Sequence, residues 1–150
     1  MDIAIGADHA GFEQKQLLID HLRAGGHAVT DFGPDSLDSV DYPDYAARVG
    51  FAVADGEHEV GILVCGTGIG MSIAANKIDG VRAANVVLPG FARLAREHND
   101  ANVLTLSARR VAPDVNAEIA DEFLSAAFAG SRHARRVDKI TALESADHAD

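Results

Sequence analysis

Residues 59–76 hold the side chains best suited to chemistry. An apolar run ends in Cys65, the only cysteine of the chain. A glycine-rich turn follows, made of Gly66, Thr67, Gly68, Ile69 and Gly70. A helix is predicted from Met71 through Asn76, and backbone N–H groups in such a turn can point at one oxygen-rich ligand. The segment therefore predicts a phosphate site, a nucleotide site or the seat of a catalytic thiolate.

Cys65 has two interpretations. Most lone cysteines are small buried hydrophobes. A thiol beside a glycine-rich helix N-terminus is instead favoured as the reactive thiolate, which can serve as a nucleophile or as a base. The cysteine alone does not decide between these roles.

The glycine pattern departs from the common nucleotide motifs. GTGIG is not GxGxxG, because Met71 stands at the final position, and no lysine follows as in GxxxxGK[ST]. A GxGxG turn after a strand also occurs in enzymes that bind S-adenosylmethionine. Val64 and Cys65 stand where those enzymes carry an acidic residue, and a simple tight turn also uses such glycines.

Composition limits the classes of partner. The chain has 150 residues and a formal net charge of −10, which argues against nucleic acid and against anionic membrane surfaces. We expect one domain over residues 1–150, with 144–150 as a frayed tail. The lone cysteine, the absence of a basic leader and the absence of a long apolar run favour a cytoplasmic protein without a membrane span.

Strand and helix patterns alternate along the chain. We predict strands at 2–6, 27–32, 60–65, 81–87 and 102–107. We predict helices at 12–22, 43–54, 71–76, 89–97, 113–130 and 131–145. Such alternation is typical of an α/β fold with a Rossmann-like, doubly wound, five-stranded parallel sheet. No strand follows the C-terminal helix, so that helix either packs on its own domain or reaches a partner subunit.

The carboxyl ends of parallel strands are where such folds bind ligands. That edge should collect Asp8 and His9, the Cys65 turn, and residues 107–110. Asp8 and His9 suit a substrate clamp better than a metal site, because no further ligand lies at the usual spacing. His98 and Asn99 are expected in the turn before the fifth strand, at the opposite edge. They can join the site only from a second subunit or through an unusual loop.

One basic cluster stands out in this acidic chain. It consists of Arg132, His133, Arg135, Arg136 and Lys139. On a helix, Arg132 and Arg136 share a face. The cluster is either a solvated surface or a phosphate site, to which Arg109 and Arg110 can add.

These motifs together resemble the ribose-5-phosphate isomerase B / galactose-6-phosphate isomerase family. The resemblance covers residues 2–143 and rests on five segments: GADHAGF (6–12), DYPDYA (41–46), GILVCGTGIGMSIAANK (61–77), REHNDANVL (96–104) and SRHARRVDKI (131–140). It implies an aldose–ketose isomerase of a sugar phosphate, most directly ribose 5-phosphate and ribulose 5-phosphate. It also implies a homodimer or homotetramer with the site at the subunit interface, and no metal or other cofactor.

The resemblance assigns roles residue by residue. Cys65 falls on the base, with Thr67 counted as catalytic beside it, and His98 on the acid that opens the sugar ring. Another branch of the family carries a glutamate base at the position of Met71. A methionine cannot accept a proton, so the resemblance leaves the Cys65 thiolate as the base of this loop. The substrate-binding positions are Asp8, His9, Tyr42, Gly66, Thr67, Gly68, Ile69, Gly70, Asn99, Arg109, Arg132 and Arg136, of which the three arginines match the phosphate site.

Four positions depart from the family pattern. Leu88 stands where a polar residue is common, Gly90 and Phe91 where serine or tyrosine is common, and Ser107 begins a segment that lacks the usual glycine. These positions affect the sugar pocket more than the reaction type. Phosphates of tetroses, allose and galactose therefore stay open as substrates. A sugar-phosphate-binding module without catalytic turnover is the non-enzymatic alternative.

Overall fold

The computed structural model describes residues 1–145 of the chain. The strands are Asp2–Ala7 (β1), Ala28–Asp31 (β2), Val60–Cys65 (β3), Ala83–Asn85 (β4) and Val103–Ser107 (β5). The helices are Phe12–Ala24 (α1), Tyr42–Ala54 (α2), Ile69–Ala75 (α3), Pro89–Asn99 (α4), Pro113–Ser125 (α5) and Ala134–Ala142 (α6). Short 3₁₀ turns at Ser131–His133 and Leu143–Ser145 flank α6.

The five strands form one sheet in the order β2-β1-β3-β5-β4, and every neighbouring pair is parallel. The predicted fold class is thereby confirmed. β3 lies at the centre and is buried along its whole length, which explains why its sequence is a continuous apolar run. Its last residue, Cys65, pairs with Ser107 at the end of β5.

Helices cover both faces of the sheet. On one face, α1, α4 and α5 pack over side chains such as Ile5, Val64 and Leu106. On the other face, α2 and α3 pack over Leu63 and Cys65. The chain therefore leaves β1 and β5 toward one face and leaves β3 toward the other. Such reversals open a crevice at the carboxyl ends of the strands, where doubly wound folds bind ligands.

Several element boundaries differ from the sequence predictions. α3 begins at Ile69 rather than at residue 71, because Gly68 adopts a left-handed conformation and caps the helix. α4 continues through His98 and Asn99, which were expected in a turn, and is capped by Asp100, whose φ is 47°. The edge strand β4 spans three residues rather than seven, since it pairs only with β5. α5 ends at Ser125, not near residue 130, because Ala126 is extended.

The C-terminal segment is less regular than the single helix predicted over 131–145. Its middle part, α6, buries Val137, and the Glu144 Oε1 atom accepts a hydrogen bond from the Gly80 backbone N–H at 2.8 Å. The segment thus contacts its own chain, and contact with a partner subunit stays a prediction. The remainder of the expected frayed tail, residues 146–150, lies outside the described residues. Within residues 1–145, no helix is both long enough and apolar enough to cross a bilayer.

Candidate active site

Cys65 ends β3 with its side chain directed toward α2 and α3. The side chain is 5% exposed, and its Sγ atom accepts a hydrogen bond from the Gly68 backbone N–H at 3.1 Å. A backbone donor aimed at sulfur stabilises negative charge on it. The loop therefore provides a specific contact for a thiolate, beyond the general effect of a nearby helix end.

Gly68 can make this contact because of its conformation and its close neighbours. Its φ is +78°, which L side chains rarely adopt. A Cβ atom at this position would lie 2.3 Å from the Asn85 Oδ1 atom and 3.1 Å from the Leu106 backbone. The loop is thus pressed against the ends of β4 and β5, where only glycine fits.

Residues at and just after the end of β5 hold the loop in place by hydrogen bonds. The Ser107 hydroxyl donates a hydrogen bond to the Gly66 carbonyl at 2.8 Å, and the Arg109 backbone N–H donates to the same carbonyl at 3.1 Å. The buried Asn116 amide in turn donates to the Ser107 carbonyl at 2.9 Å. Ser107, one of the positions that depart from the family pattern, therefore helps to hold the cysteine loop, residues 65–70, in its conformation.

Three predicted site residues lie on or against the loop. A Cβ atom at Gly66 would be 3.4 Å from the Arg109 Cδ atom, and one at Gly70 would be 2.7 Å from the Tyr42 ring. The side chains of Arg109 and Tyr42 thus lie against the loop glycines. Thr67 is exposed, and its hydroxyl oxygen accepts a hydrogen bond from the Ile69 N–H at 3.3 Å.

Asp8 and His9 follow β1 beside the same loop. The Asp8 backbone N–H donates to the Val64 carbonyl at 3.1 Å, and the buried Asp8 carboxylate accepts from the Gly11 N–H at 2.9 Å. The His9 Nδ1 atom accepts from the Val40 N–H at 3.2 Å. This contact assigns the ring proton to Nε2, so that His9 can donate to a ligand.

Within the part of the chain that the structure describes, no three His, Cys, Asp or Glu side chains are grouped as metal ligands.

Lys15 is a supporting residue that the sequence analysis missed. It is fully buried, and its ammonium group contacts both Asp31 carboxylate oxygens at 2.6 and 2.8 Å and the Pro34 carbonyl at 2.8 Å. These contacts tie α1 to the start of the loop that carries Val40 to His9. A lysine in a predicted helix is usually solvated, so no sequence signal indicates this role.

The remaining predicted residues lie at the opposite edge of the sheet. His98 and Asn99 end α4, just before β5 begins. The His98 ring stacks on His133, with centroids 4.3 Å apart and planes 10° from parallel. Arg132 and Arg136 flank His133, whose pKa is lowered by partial burial and then by the positive charges of His98, Arg132 and Arg136.

The arginines are available for an anionic ligand. Arg109, Arg132 and Arg136 are exposed, and none of them pairs with an acidic side chain within residues 1–145. Arg82, Arg93 and Arg96, by contrast, are all held in ion pairs. In a chain of net charge −10, unpaired guanidinium groups favour a role in binding phosphate.

The structure therefore separates the predicted residues into two groups within one chain. The carboxyl-edge group contains Asp8, His9, Tyr42, the loop from Cys65 to Gly70, and Arg109. The amino-edge group contains His98, Asn99, Arg132 and Arg136. Because a strand rises about 3.3 Å per residue, the length of β5 puts roughly 13 Å between the two edges. One chain alone does not bring the groups together.

Known sequences match this chain over most of its length. A family model described as Ribose/Galactose Isomerase matches residues 3–140. A probable ribose-5-phosphate isomerase B of Mycoplasma pneumoniae is 50% identical over 95% of this chain and 94% of its own length. Ribose-5-phosphate isomerase B of Escherichia coli K12 is 48% identical, with 95% of each chain covered. A D-erythrulose-4-phosphate isomerase of Pectobacterium atrosepticum is 43% identical, with 93% of each chain covered.

Solved structures agree with the sequence comparisons. Ribose-5-phosphate isomerase B of Clostridium thermocellum superposes with a TM-score of 0.95 at 49% identity, covering 96% of this chain and 97% of the other. The Mycoplasma genitalium enzyme, solved with bound ribulose-5-phosphate, gives a TM-score of 0.94 at 46% identity and covers 97% of each chain.

The left-handed conformation of Gly68 predicts that an alanine at this position is destabilising. Gly68→Ala should lower the free energy of unfolding by about 1–3 kcal/mol, because the new Cβ is strained at positive φ and clashes with Asn85. It should also slow alkylation of Cys65 by iodoacetamide, since the N–H donor moves away from sulfur. Urea unfolding and timed mass spectrometry measure the two effects. Gly90→Ala is the matched control, because a Cβ there meets no atom within 4 Å; equal effects in both variants would contradict the account.

Proposed function

The chain belongs to the ribose/galactose isomerase family, and we propose that it interconverts ribose 5-phosphate and ribulose 5-phosphate with Cys65 as the base. Its close relatives are sugar-phosphate isomerases, and the chain is accordingly an aldose–ketose isomerase. The observation that carries the finer proposal is the hydrogen bond from the Gly68 N–H to the Cys65 Sγ atom.

The chemistry requires a base that both removes and returns a proton. The Cys65 thiolate takes the proton from C2 of the open-chain aldose, and the electrons of that C–H bond form an enediolate. The thiol then returns the proton to C1, while the hydroxyl proton of O2 passes to O1. We assign this second transfer to the Thr67 hydroxyl, which is exposed in the loop. The Gly68 and Ile69 N–H groups already donate to Cys65 and Thr67, so the other backbone N–H groups of residues 66–70 stabilise the enediolate. Each contributes about 3 kcal/mol in comparable sites.

Ring opening needs a second proton-transfer group. His98 moves a proton between the ring oxygen and the anomeric hydroxyl, and Asn99 lies beside it. Since His98 lies at the opposite edge of the sheet from Cys65, we propose that a partner subunit supplies it. A homodimer, or a tetramer built from such dimers, then forms each site from the carboxyl-edge group of one chain and the amino-edge group of another.

The same arrangement provides the phosphate site. Arg132 and Arg136 would come with His98 from the partner subunit, and Arg109 from the chain that supplies Cys65. Guanidinium groups match phosphate oxygens by paired hydrogen bonds. Ribulose-5-phosphate bound to the Mycoplasma genitalium relative supports a five-carbon phosphate as the ligand.

A four-carbon sugar phosphate is the second candidate. Leu88 and Phe91 are 55% and 62% exposed and follow β4, whose last residue, Asn85, contacts the cysteine loop. Apolar side chains there would exclude the hydroxyl groups of a longer sugar. The Pectobacterium relative is named for such a substrate.

Proton exchange tests the role of Cys65. Cys65→Ala should lower the rate of deuterium exchange from D₂O into C1 of ribulose 5-phosphate by about 10²–10⁴-fold. NMR of the ketose measures this rate directly. Val64→Ala is the control, because it removes buried volume from the neighbouring residue of the same strand and keeps the thiol. Exchange at the wild-type rate in Cys65→Ala would exclude the thiol as base.

A substrate panel tests chain length. Ribose 5-phosphate should give the highest kcat/KM among the aldose phosphates of erythrose, ribose, allose and galactose, because one carbon in a fitted pocket changes this value by about 10–200-fold. Steady-state rates with each sugar provide the comparison. A higher kcat/KM with erythrose 4-phosphate would replace the first candidate by the second. No turnover with any of them, together with saturable binding, would indicate a non-catalytic module.

A further inference from the structure

We propose that His133 is a positioning residue that holds the His98 ring in the plane required for opening the sugar. The proposal rests on the proposed isomerase function, in which His98 transfers the proton. It concerns a residue of the basic cluster that has no assigned part in that chemistry. His133 would act on the substrate only through His98.

The contact is a close aromatic stack. The two imidazole rings have centroids 4.3 Å apart and planes within 10° of parallel. Stacking of this kind restricts the tilt of both rings. It also stabilises the ring pair by more than the burial of its surface alone. Both side chains are partly buried, so that neither ring is fully free in solvent.

The backbone brings the two histidines together from separate elements. His98 lies in the last turn of α4, and His133 ends the 3₁₀ turn before α6. The Ala129 N–H donates to the Glu97 carbonyl at 3.0 Å, and the His133 N–H donates to the Gly130 carbonyl at 3.0 Å. These bonds tie the segment before α6 to the end of α4, and the stack follows from that connection.

Charge makes His133 suitable for this position. Partial burial lowers its pKa, as do the positive charges that face it from His98 on α4, Arg132 on the 3₁₀ turn and Arg136 on α6. Both effects act in the same direction and favour the neutral form of the His133 ring. A neutral ring can lie against His98 while His98 gains and loses a proton, whereas two charged rings would repel each other.

The orientation of His98 matters because one imidazole must reach both the ring oxygen and the anomeric hydroxyl of the sugar. A displacement of about 1 Å from a reactive geometry can cost about 100-fold in rate. Open-chain ribulose 5-phosphate needs no ring opening before its C1 proton is removed. Loss of the stack should therefore affect the reaction of ribose 5-phosphate and leave proton exchange of the ketose unchanged.

Three substitutions test the proposal. His133→Ala and His133→Asn remove the flat ring and should lower kcat for ribose 5-phosphate by about tenfold, with KM within about twofold. His133→Phe keeps a flat ring and should restore kcat to within about threefold of wild type. Deuterium exchange into C1 of ribulose 5-phosphate should stay at the wild-type rate in all three. Circular dichroism confirms that each variant is folded.

The controls separate the other roles that His133 could have. His21→Ala removes a histidine that pairs with Asp121 elsewhere on the surface and should leave every rate unchanged. A rise in KM with unchanged kcat would make His133 a phosphate contact and overturn the proposal. So would unchanged kcat in His133→Ala, equal loss in His133→Phe, or a parallel loss of ketose exchange. Failure of the wild-type protein to isomerise ribose 5-phosphate would instead reject the proposed function itself.

Discussion

The hydrogen bond from the Gly68 N–H to the Cys65 Sγ atom, 3.1 Å long, is the contact on which the rest of the site depends. It exists because Gly68 adopts a left-handed conformation against the ends of β4 and β5. The same loop conformation lets the Tyr42 side chain pack against Gly70 and the Arg109 side chain pack against Gly66. The proposed base, the proposed oxyanion donors and two proposed substrate contacts therefore share one backbone conformation.

The parallel sheet imposes the second constraint. Each helix runs antiparallel to its strands, so a residue at the end of α4 necessarily lies at the edge away from Cys65. The chain therefore carries two candidate half-sites, one with Cys65 and one with His98, Arg132 and Arg136. Each half is well formed by itself: the first is fixed by the Gly68 contact, and the second by the stack of His98 on His133. The proposed association of two chains would bring both halves into one site.

The sequence predicted the fold class and the edge at which most of the candidate residues lie, because alternating strand and helix patterns determine both. It also placed His98 at the far edge, although His98 ends a helix rather than lying in a turn. The supporting contacts could not be predicted. The burial of Lys15 and the stacking of His133 depend on neighbours that are distant in sequence, and the left-handed conformation of Gly68 depends on packing against Asn85 and Leu106.

Subunit complementation tests the central claim, that each site combines residues of two chains. One inactive chain carries Cys65→Ala, and the other carries Arg132→Ala and Arg136→Ala. In randomly formed dimers, half the molecules are hybrids with one intact site, so co-expression should restore about a quarter of wild-type kcat/KM for ribose 5-phosphate. A mixture no more active than the two variants measured separately would contradict the two-chain site.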